Sequence, residues 1–303
     1  MRGLAARLFM ACRTLLYRTR WRNAWLVMWL AERVAGRVVG TGVSSPVQVS
    51  FRGLNLTVPA NDAVFAASLA VGTYERGTLD AFAAELRQLA AAPAPDGPPV
   101  VVDVGANIGV FTVLAAQAGQ GQWRVHAFEP SADTVATLQA NLAANNCPPA
   151  WVSIHQACVG NVDGHTLFSV GGVPTGRRAL GRGEGGGRAV RAVRLDTALA
   201  GERLRVRLVK VDTEGHEPEV LAGARAVLGA ARATVLLEYH PPSLARAGAD
   251  PAAFLISLLR NYDDVRYVDE VTGACTAVPR RPQEWPALLR AAGANLILRP
   301  ARS

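Results

Sequence analysis

VVVDVGANIGVFTVLAA, Val100 to Ala116, is the stretch on which the architecture turns. Three β-branched residues lead into Asp103, a glycine turn runs Gly105-Ala106-Asn107-Ile108-Gly109, and an apolar run suited to a helix follows. Such a run fits a strand buried on both faces, and the glycines let the backbone turn sharply and approach a ligand closely. In an open α/β sheet, the turn after the first strand lies at the crevice where ligands bind. The G-x-N-x-G spacing is not the G-x-G-x-x-G that holds a pyrophosphate, so this loop suits a ligand without a phosphate.

The same strand–turn–helix unit recurs downstream. WRVHAFEP reads as a second strand, WVSIHQACVG as a third, VRLVKVD as a fourth and ATVLLEYHP as a fifth. SADTVATLQANLAANN and PEVLAGARAVLGAA read as helices between them. Alternation at this period predicts a mostly parallel sheet covered by helices on both faces, with DDVRYVD and ANLILRP as a last strand pair at one edge. Upstream, VQVSFRGLNLTV (Val47–Val58) alternates as a hairpin does, with its turn near Arg52–Gly53. A helix ending in LDAFAAELRQLAAA follows, and APAPDGPP (Ala92–Pro99) stops it. The chain thus divides into a basic helical leader (1–45), a hairpin and helical lead-in (46–98) and a core domain (99–303).

Composition narrows the function. Of the net charge of +8, residues 1–40 carry +7 and residues 171–194 carry +5, which leaves −4 on the rest. A basic leader and one basic loop on an acidic body argue against a nucleic-acid track. The 171–194 stretch, with at least seven glycines and six arginines, reads as a mobile loop and a candidate lid that could attract an acidic acceptor. Cys12, Cys147, Cys158 and Cys275 show no CxxC pair, so neither a disulfide frame nor a structural metal site such as a zinc knuckle is expected. AWLVMWLA (Ala24–Ala31) is too short to span a bilayer. The expectation is a cytoplasmic protein. Trp21, Trp25 and Trp29 line one stripe of the leader, which offers either peripheral membrane contact or docking onto protein.

The residues that carry chemistry lie at strand ends. Glu129 closes the second strand 24 residues after Gly105, where an acidic side chain can accept both hydroxyls of a ribose. Lys210 is the only lysine among 32 basic residues and stands in VKVDTEGHEPEVL, two residues before Asp212 and four before Glu214. Side chains alternate along a strand, so Lys210 and Asp212 share a face. A lysine carries a compact charge on a slim stem and reaches carboxylates where arginine's planar fork does not fit. Lys210 is therefore expected to pair with Asp212 or Glu214.

VVDVGANIGVFT, FEP, VKVDTEGHEPEVLAGA and VLLEYH, in this order, resemble the FkbM family of S-adenosylmethionine-dependent methyltransferases, over roughly Pro99 to Pro241. The resemblance implies a class I methyltransferase (Rossmann-like) α/β fold, with a seven-stranded, mostly parallel sheet and the basic helical extension ahead of it. It also implies O-methylation of a small-molecule, sugar or glycolipid hydroxyl, with S-adenosyl-L-methionine as cofactor. Asp103, Gly105, Ala106, Asn107 and Gly109 would surround the methionine end of that cofactor, and Glu129 would hold the ribose. The ACVGN turn, with Cys158 and Asn161, would flank the adenine; the family often has an acidic residue where Asn161 stands. The class I strand order makes the fourth and fifth strands neighbours, so Glu238 and His240 would join Lys210, Asp212 and Glu214 at one rim. Asp212 ranks first as the proton acceptor, with Glu238 and His240 next. Two rival readings stand beside this one: a nicotinamide-dependent oxidoreductase, and a non-catalytic protein that binds a membrane or a partner. The acceptor, the oligomeric state and any metal requirement cannot be read from the residues, and the cluster of carboxylates with a histidine leaves room for a divalent ion.

Overall fold

The computed structural model describes residues 46–59, 63–70, 72–91, 97–168 and 188–300. The expected leader and all but the end of the Gly/Arg-rich stretch lie outside the described residues. The described chain falls into two compact units that divide between Tyr74 and Glu75. In the first, β1 (Val47–Phe51) and β2 (Leu54–Val58) form the expected hairpin, in register from Val47↔Val58 to Phe51↔Leu54. Arg52 and Gly53 take φ of 51° and 82°, the two-residue turn whose twist matches that of the flanking strands. Helix α1 (Ala63–Ala70) packs on β1. Tyr74 meets Phe51 and Phe65 edge-on.

The second unit opens with α2 (Arg76–Ala91), so the 46–98 lead-in divides at Tyr74 and this helix packs with the core. The core continues as β3 (Val100–Val104), α3 (Val110–Gly119), β4 (Arg124–Phe128), α4 (Ala132–Ala144), β5 (Val152–His155), β6 (Cys158–Val159), β7 (Gly164–Phe168), β8 (Arg188–Val193) and α5 (Leu195–Ala198). It then runs through β9 (Val206–Val211), α6 (Glu217–Ala222), α7 (Arg225–Ala231), β10 (Thr234–Tyr239), α8 (Pro241–Arg246), α9 (Pro251–Asn261), β11 (Asp264–Val268), β12 (Cys275–Ala277) and β13 (Ala294–Arg299). The main sheet has the order β12-β11-β13-β10-β9-β3-β4-β5. The five strands from β10 to β5 are parallel to their neighbours, and the pairings of β13, β11 and β12 are antiparallel. Every residue of β3 is buried, as its unbroken β-branched run requires.

Five expectations change in detail. The sheet has eight strands, not seven, because the three-residue β12 adds an edge too short to show a periodic pattern. β13 is no edge strand: it inserts between β10 and β11 and buries Leu296, Ile297 and Leu298. WVSIHQACVG breaks at Gln156, after which β6 leaves the main sheet for a three-stranded one of order β6-β8-β7. β8 pairs with both neighbours there, so the end of the 171–194 stretch is strand, not loop. Finally, the helix expected from PEVLAGARAVLGAA is two helices broken at Gly223. A Cβ on Gly223 would stand 1.9 Å from the Gly160 carbonyl oxygen, so the chain bends where two backbones meet.

The path from β3 runs outward through β4 and β5 on one side and, later, through β9 and β10 on the other. This reversal opens a crevice at the carboxyl ends of β3 and β9, the usual ligand position in such sheets. Hydrogen bonds hold its rim. The N–H groups of Gly105 and Ala106 both donate to the Phe128 carbonyl at 3.0 Å, Asp212 N–H donates to Val104 O at 3.1 Å, and the buried Asn141 amide donates to Ile108 O at 2.9 Å.

Lys210 closes this rim from beneath. In the β3–β9 register it lies opposite Asp103. Its ammonium donates to Asp212 Oδ2 at 3.1 Å and to Gly105 O at 3.4 Å, and it stands 3.6 Å from Asp103 Oδ1. The face of Phe111 lies 4.8 Å away on another side. The residue is only 4 % exposed. Burial alone would favour the neutral amine. The carboxylates of Asp212, Asp103 and Glu75 outweigh it and hold the pKa above the usual lysine range. Three oxygens converge on one small nitrogen, which suits an ammonium and not a planar guanidinium. The sequence expectation holds for Asp212, but the second partner is Asp103 and not Glu214.

Two substitutions test this construction by chemical denaturation. A Cβ on Gly105 (φ 77°) would fall 1.8 Å from the Asp212 carbonyl oxygen, whereas Gly273 (φ 72°) has nothing within 4 Å. Gly273→Ala should therefore lose only about 1–2 kcal/mol for its left-handed backbone. Gly105→Ala should lose about 1–3 kcal/mol more through overpacking; equal losses would mean that the close approach does not matter. Lys210→Met strands two carboxylates and should destabilise by about 3–5 kcal/mol. A Met variant as stable as the wild type would show that the ammonium does not hold them.

Candidate active site

The acidic residue expected to hold a ribose is fixed by backbone. Glu129, 5 % exposed, follows β4, where its Oε2 accepts from Asn107 N–H at 3.1 Å and its Oε1 from Ser131 N–H at 2.9 Å. Asn107 can donate this way because it takes a φ of 50°, which turns its amide toward β4. One carboxylate thereby ties the glycine turn after β3 to the helix start after β4.

Asp103 is 1 % exposed and lies under the turn instead of on it. Its Oδ2 accepts from the Thr112 hydroxyl at 2.6 Å, and its Oδ1 faces Lys210. Gly105, Ala106, Asn107 and Gly109 form the turn above. Gly109 (φ 93°) leaves no room for a side chain, since a Cβ there would meet Leu138 Cδ1 at 2.1 Å. The ACVGN turn is brought in only in part. The Cys158 thiol is close enough to feel Glu129, and burial together with that charge pushes it up to about 12. Asn161 is exposed, and its backbone lies by Gly223.

The DTEGHE segment is organised by a residue that the motif reading passed over. Glu217, 1 % exposed, folds its carboxylate back onto its own loop. It accepts from Thr213 N–H at 2.8 Å, from the Thr213 hydroxyl at 3.0 Å and from Gly215 N–H at 3.0 Å. Burial pushes its pKa up to about 7 against these donors. Glu217 is the first residue of α6, and no motif of the sequence marked it. The loop it stabilises sets Glu214 at φ 58° and Gly215 at φ 108°. A Cβ on Gly215 would stand 2.4 Å from the Ser243 carbonyl, so the loop packs directly on α8.

That packing joins the two strand ends. His240 leaves β10 in an extended conformation, as a residue before proline does, and its carbonyl receives Ser243 N–H and Leu244 N–H, each at 3.0 Å. Its Nδ1 lies 2.7 Å from Ser243 Oγ, which in turn lies 3.4 Å from Glu214 Oε2 and 3.4 Å from the Arg246 guanidinium. Ser243 was not a sequence candidate; only its place three residues after His240 hinted at contact. Glu238 differs from the other carboxylates. Its Oε2 is buried with no hydrogen-bond partner among the described residues. Burial, then the charges of Asp212, Glu214, Glu217 and Glu75, push its pKa well above the usual carboxylate range. The five residues expected at one rim thus separate into two neighbouring groups: Lys210 with Asp212, and His240 with Glu214 through Ser243. Glu238 is coupled by charge to both.

Among the described residues, no three His, Cys, Asp or Glu side chains gather as a metal ion would need, and no helix is long and apolar enough to cross a membrane.

Comparison with known proteins places this geometry. Residues 103–266 match the profile of the Methyltransferase FkbM domain. No curated protein matches the chain at a significant level. Among solved structures, the methyltransferase FkbM from Methylobacillus flagellatus KT is similar at 17 % identity over 69 % of this chain and 45 % of its own, with a TM-score of 0.42. A SAM-dependent methyltransferase from Agrobacterium tumefaciens is similar at 13 % identity over 65 % and 53 %, with a TM-score of 0.38. The O-methyltransferase TomG from Streptomyces achromogenes, solved in complex with SAM, is similar at 15 % identity over 79 % and 96 %, with a TM-score of 0.38. This chain spans about half the length of the first two, and likenesses of this strength bear on neither substrate nor mechanism. The matched segment covers more than half of the chain and contains the glycine turn, Glu129 and the whole β9–β10 rim; the chain belongs to the FkbM methyltransferase family, and its cofactor is S-adenosylmethionine.

Proposed function

We propose that the protein is an O-methyltransferase acting on a hydroxyl of a small molecule, sugar or glycolipid. The observation that carries this reading is the joining of His240 to Glu214, through Ser243, at the β9–β10 rim beside the glycine turn. A hydroxyl must lose its proton as it is methylated, and a positioned imidazole suits that task near neutral pH.

The residues present fit the cofactor. Glu129, held by two backbone N–H groups, is placed to accept the ribose hydroxyls, and the turn from Gly105 to Gly109 would lie along the methionine portion. Asp103 would act beneath that turn, through Thr112 and Lys210. Cys158 would border the adenine; Asn161, being exposed, has the weaker claim to such a contact. When bound, S-adenosylmethionine supplies an electrophilic methyl on a sulfonium, which leaves as a neutral thioether.

The rim residues divide the remaining work. Asp212 partners the Lys210 ammonium, so taking a proton would break a buried ion pair; this removes it from first place as the base. Burial among other acids raises the pKa of Glu238 and favours its protonated form, which sets it behind His240 as the acceptor. His240 is then the group that accepts the hydroxyl's proton, and Glu214 supports it. The acidic rim would also favour a neutral or cationic acceptor close to the reacting centre, and a positively charged sulfonium beside it.

Calorimetric titration of S-adenosylmethionine and its demethylated product tests the cofactor site. Each hydrogen bond to a charged carboxylate contributes about 1.5–3 kcal/mol, so Glu129→Ala should weaken both ligands at least about tenfold. Unchanged affinity would remove the ribose assignment. Transfer of radiolabelled methyl to a panel of sugars, polyols and glycolipids tests the reaction; labelling of amine or thiol groups alone would overturn the O-methyltransferase reading.

A further inference from the structure

We infer that Ser243 is a positioning residue that fixes the tautomer of His240, so that Nε2 is presented as the proton acceptor. Ser243 is 1 % exposed, and its hydroxyl has one hydrogen and two lone pairs. Three groups surround the Oγ: Glu214 Oε2 at 3.4 Å, the Arg246 guanidinium at 3.4 Å and His240 Nδ1 at 2.7 Å. The carboxylate can only accept, so it takes the single hydrogen. The guanidinium can only donate, so it occupies one lone pair. The remaining lone pair faces Nδ1, which must then carry the ring proton and donate it. With one proton on the ring, Nε2 is thereby the acceptor nitrogen. Glu214 acts at one remove, by deciding which way the hydroxyl points.

The backbone holds this arrangement in place. Pro241 and Pro242 start α8 immediately after His240, which sets Ser243 one turn beyond the imidazole. Gly215 passes against the Ser243 carbonyl and so brings Glu214 to the hydroxyl. In the transfer step, a lone pair of the acceptor oxygen forms the new C–O bond as the C–S bond breaks and its electron pair returns to sulfur. The proton of the hydroxyl passes to Nε2, giving an imidazolium that Nδ1–H and Ser243 still hold, and water then takes that proton.

The use of this base rests on the O-methyltransferase reading, but the tautomer is read without any acceptor. Nitrogen-15 spectra of the full-length protein report which ring nitrogen is bare. The chain has five histidines, so the His240 signals are identified by their loss in His240→Gln. The wild type should show a bare Nε2 and a protonated Nδ1. Ser243→Ala should release the ring to both tautomers. Ser243→Thr, which keeps the hydroxyl, should preserve the wild-type pattern and separates this role from loss of folding. Glu214→Ala should let the hydroxyl turn and donate to Nδ1, moving the ring proton to Nε2. A wild-type ring protonated on Nε2, or a Ser243→Ala ring unchanged from wild type, overturns the inference. With an acceptor found in the hydroxyl panel, Ser243→Ala should lower kcat at least about tenfold with KM for S-adenosylmethionine unchanged, and Ser243→Thr should recover most of it. Full kcat in Ser243→Ala also overturns it.

Discussion

The buried ammonium of Lys210 is the contact on which the arrangement of this domain depends. It links adjacent parallel strands at their carboxyl ends by drawing together Asp103 from β3, Asp212 after β9 and the carbonyl of Gly105. Without that charge, two carboxylates and a peptide oxygen would meet in a nearly water-free space, where repulsion is poorly screened. With it, the glycine turn is pinned above one strand and the DTEGHE loop is started above the other. In a chain whose other basic residues are all arginine, lysine stands here because three oxygens and an aromatic face close around a single nitrogen.

Outward from that point, similar side chains take different work from their surroundings. Asp103 is sealed beneath the turn against Thr112 and Lys210, and Glu217 is folded back as the internal brace of its own loop. Glu129 is aimed by two backbone amides, and burial among other acids raises the pKa of Glu238. Glu214 alone is set by packing against α8, through a glycine that admits no side chain. Such separation by environment lets one rim hold carboxyl groups of different proton affinity.

Much of this was legible in the residues. The unbroken valine run announced a doubly buried strand, the glycine turn its crevice, and the lone lysine its aspartate. Legibility failed where a residue's role depends on a neighbour distant in sequence. WVSIHQACVG reads as one strand, yet Cys158 and Val159 pair with Ala192 and Val193 of β8, far along the chain. Gly223 breaks a helix because the Gly160 backbone crosses it. β12 is only three residues long and exists because β11 offers it an edge. Ser243 carries no motif at all; it matters because Glu214 arrives from another loop.

The sequence by itself determined the α/β class, the strand–turn–helix order and the family, since periodicity and glycine spacing are local properties written residue by residue. It also determined which side chains stand at strand ends, because alternation and turn position are local too. Tertiary structure decided which of those side chains are partners: Asp103 and not Glu214 for Lys210, and Ser243 between Glu214 and His240. The reason is physical. Ion pairs and proton assignments are settled by distance, burial and the number of hydrogens available at a few ångströms, and those exist only once the strands lie side by side.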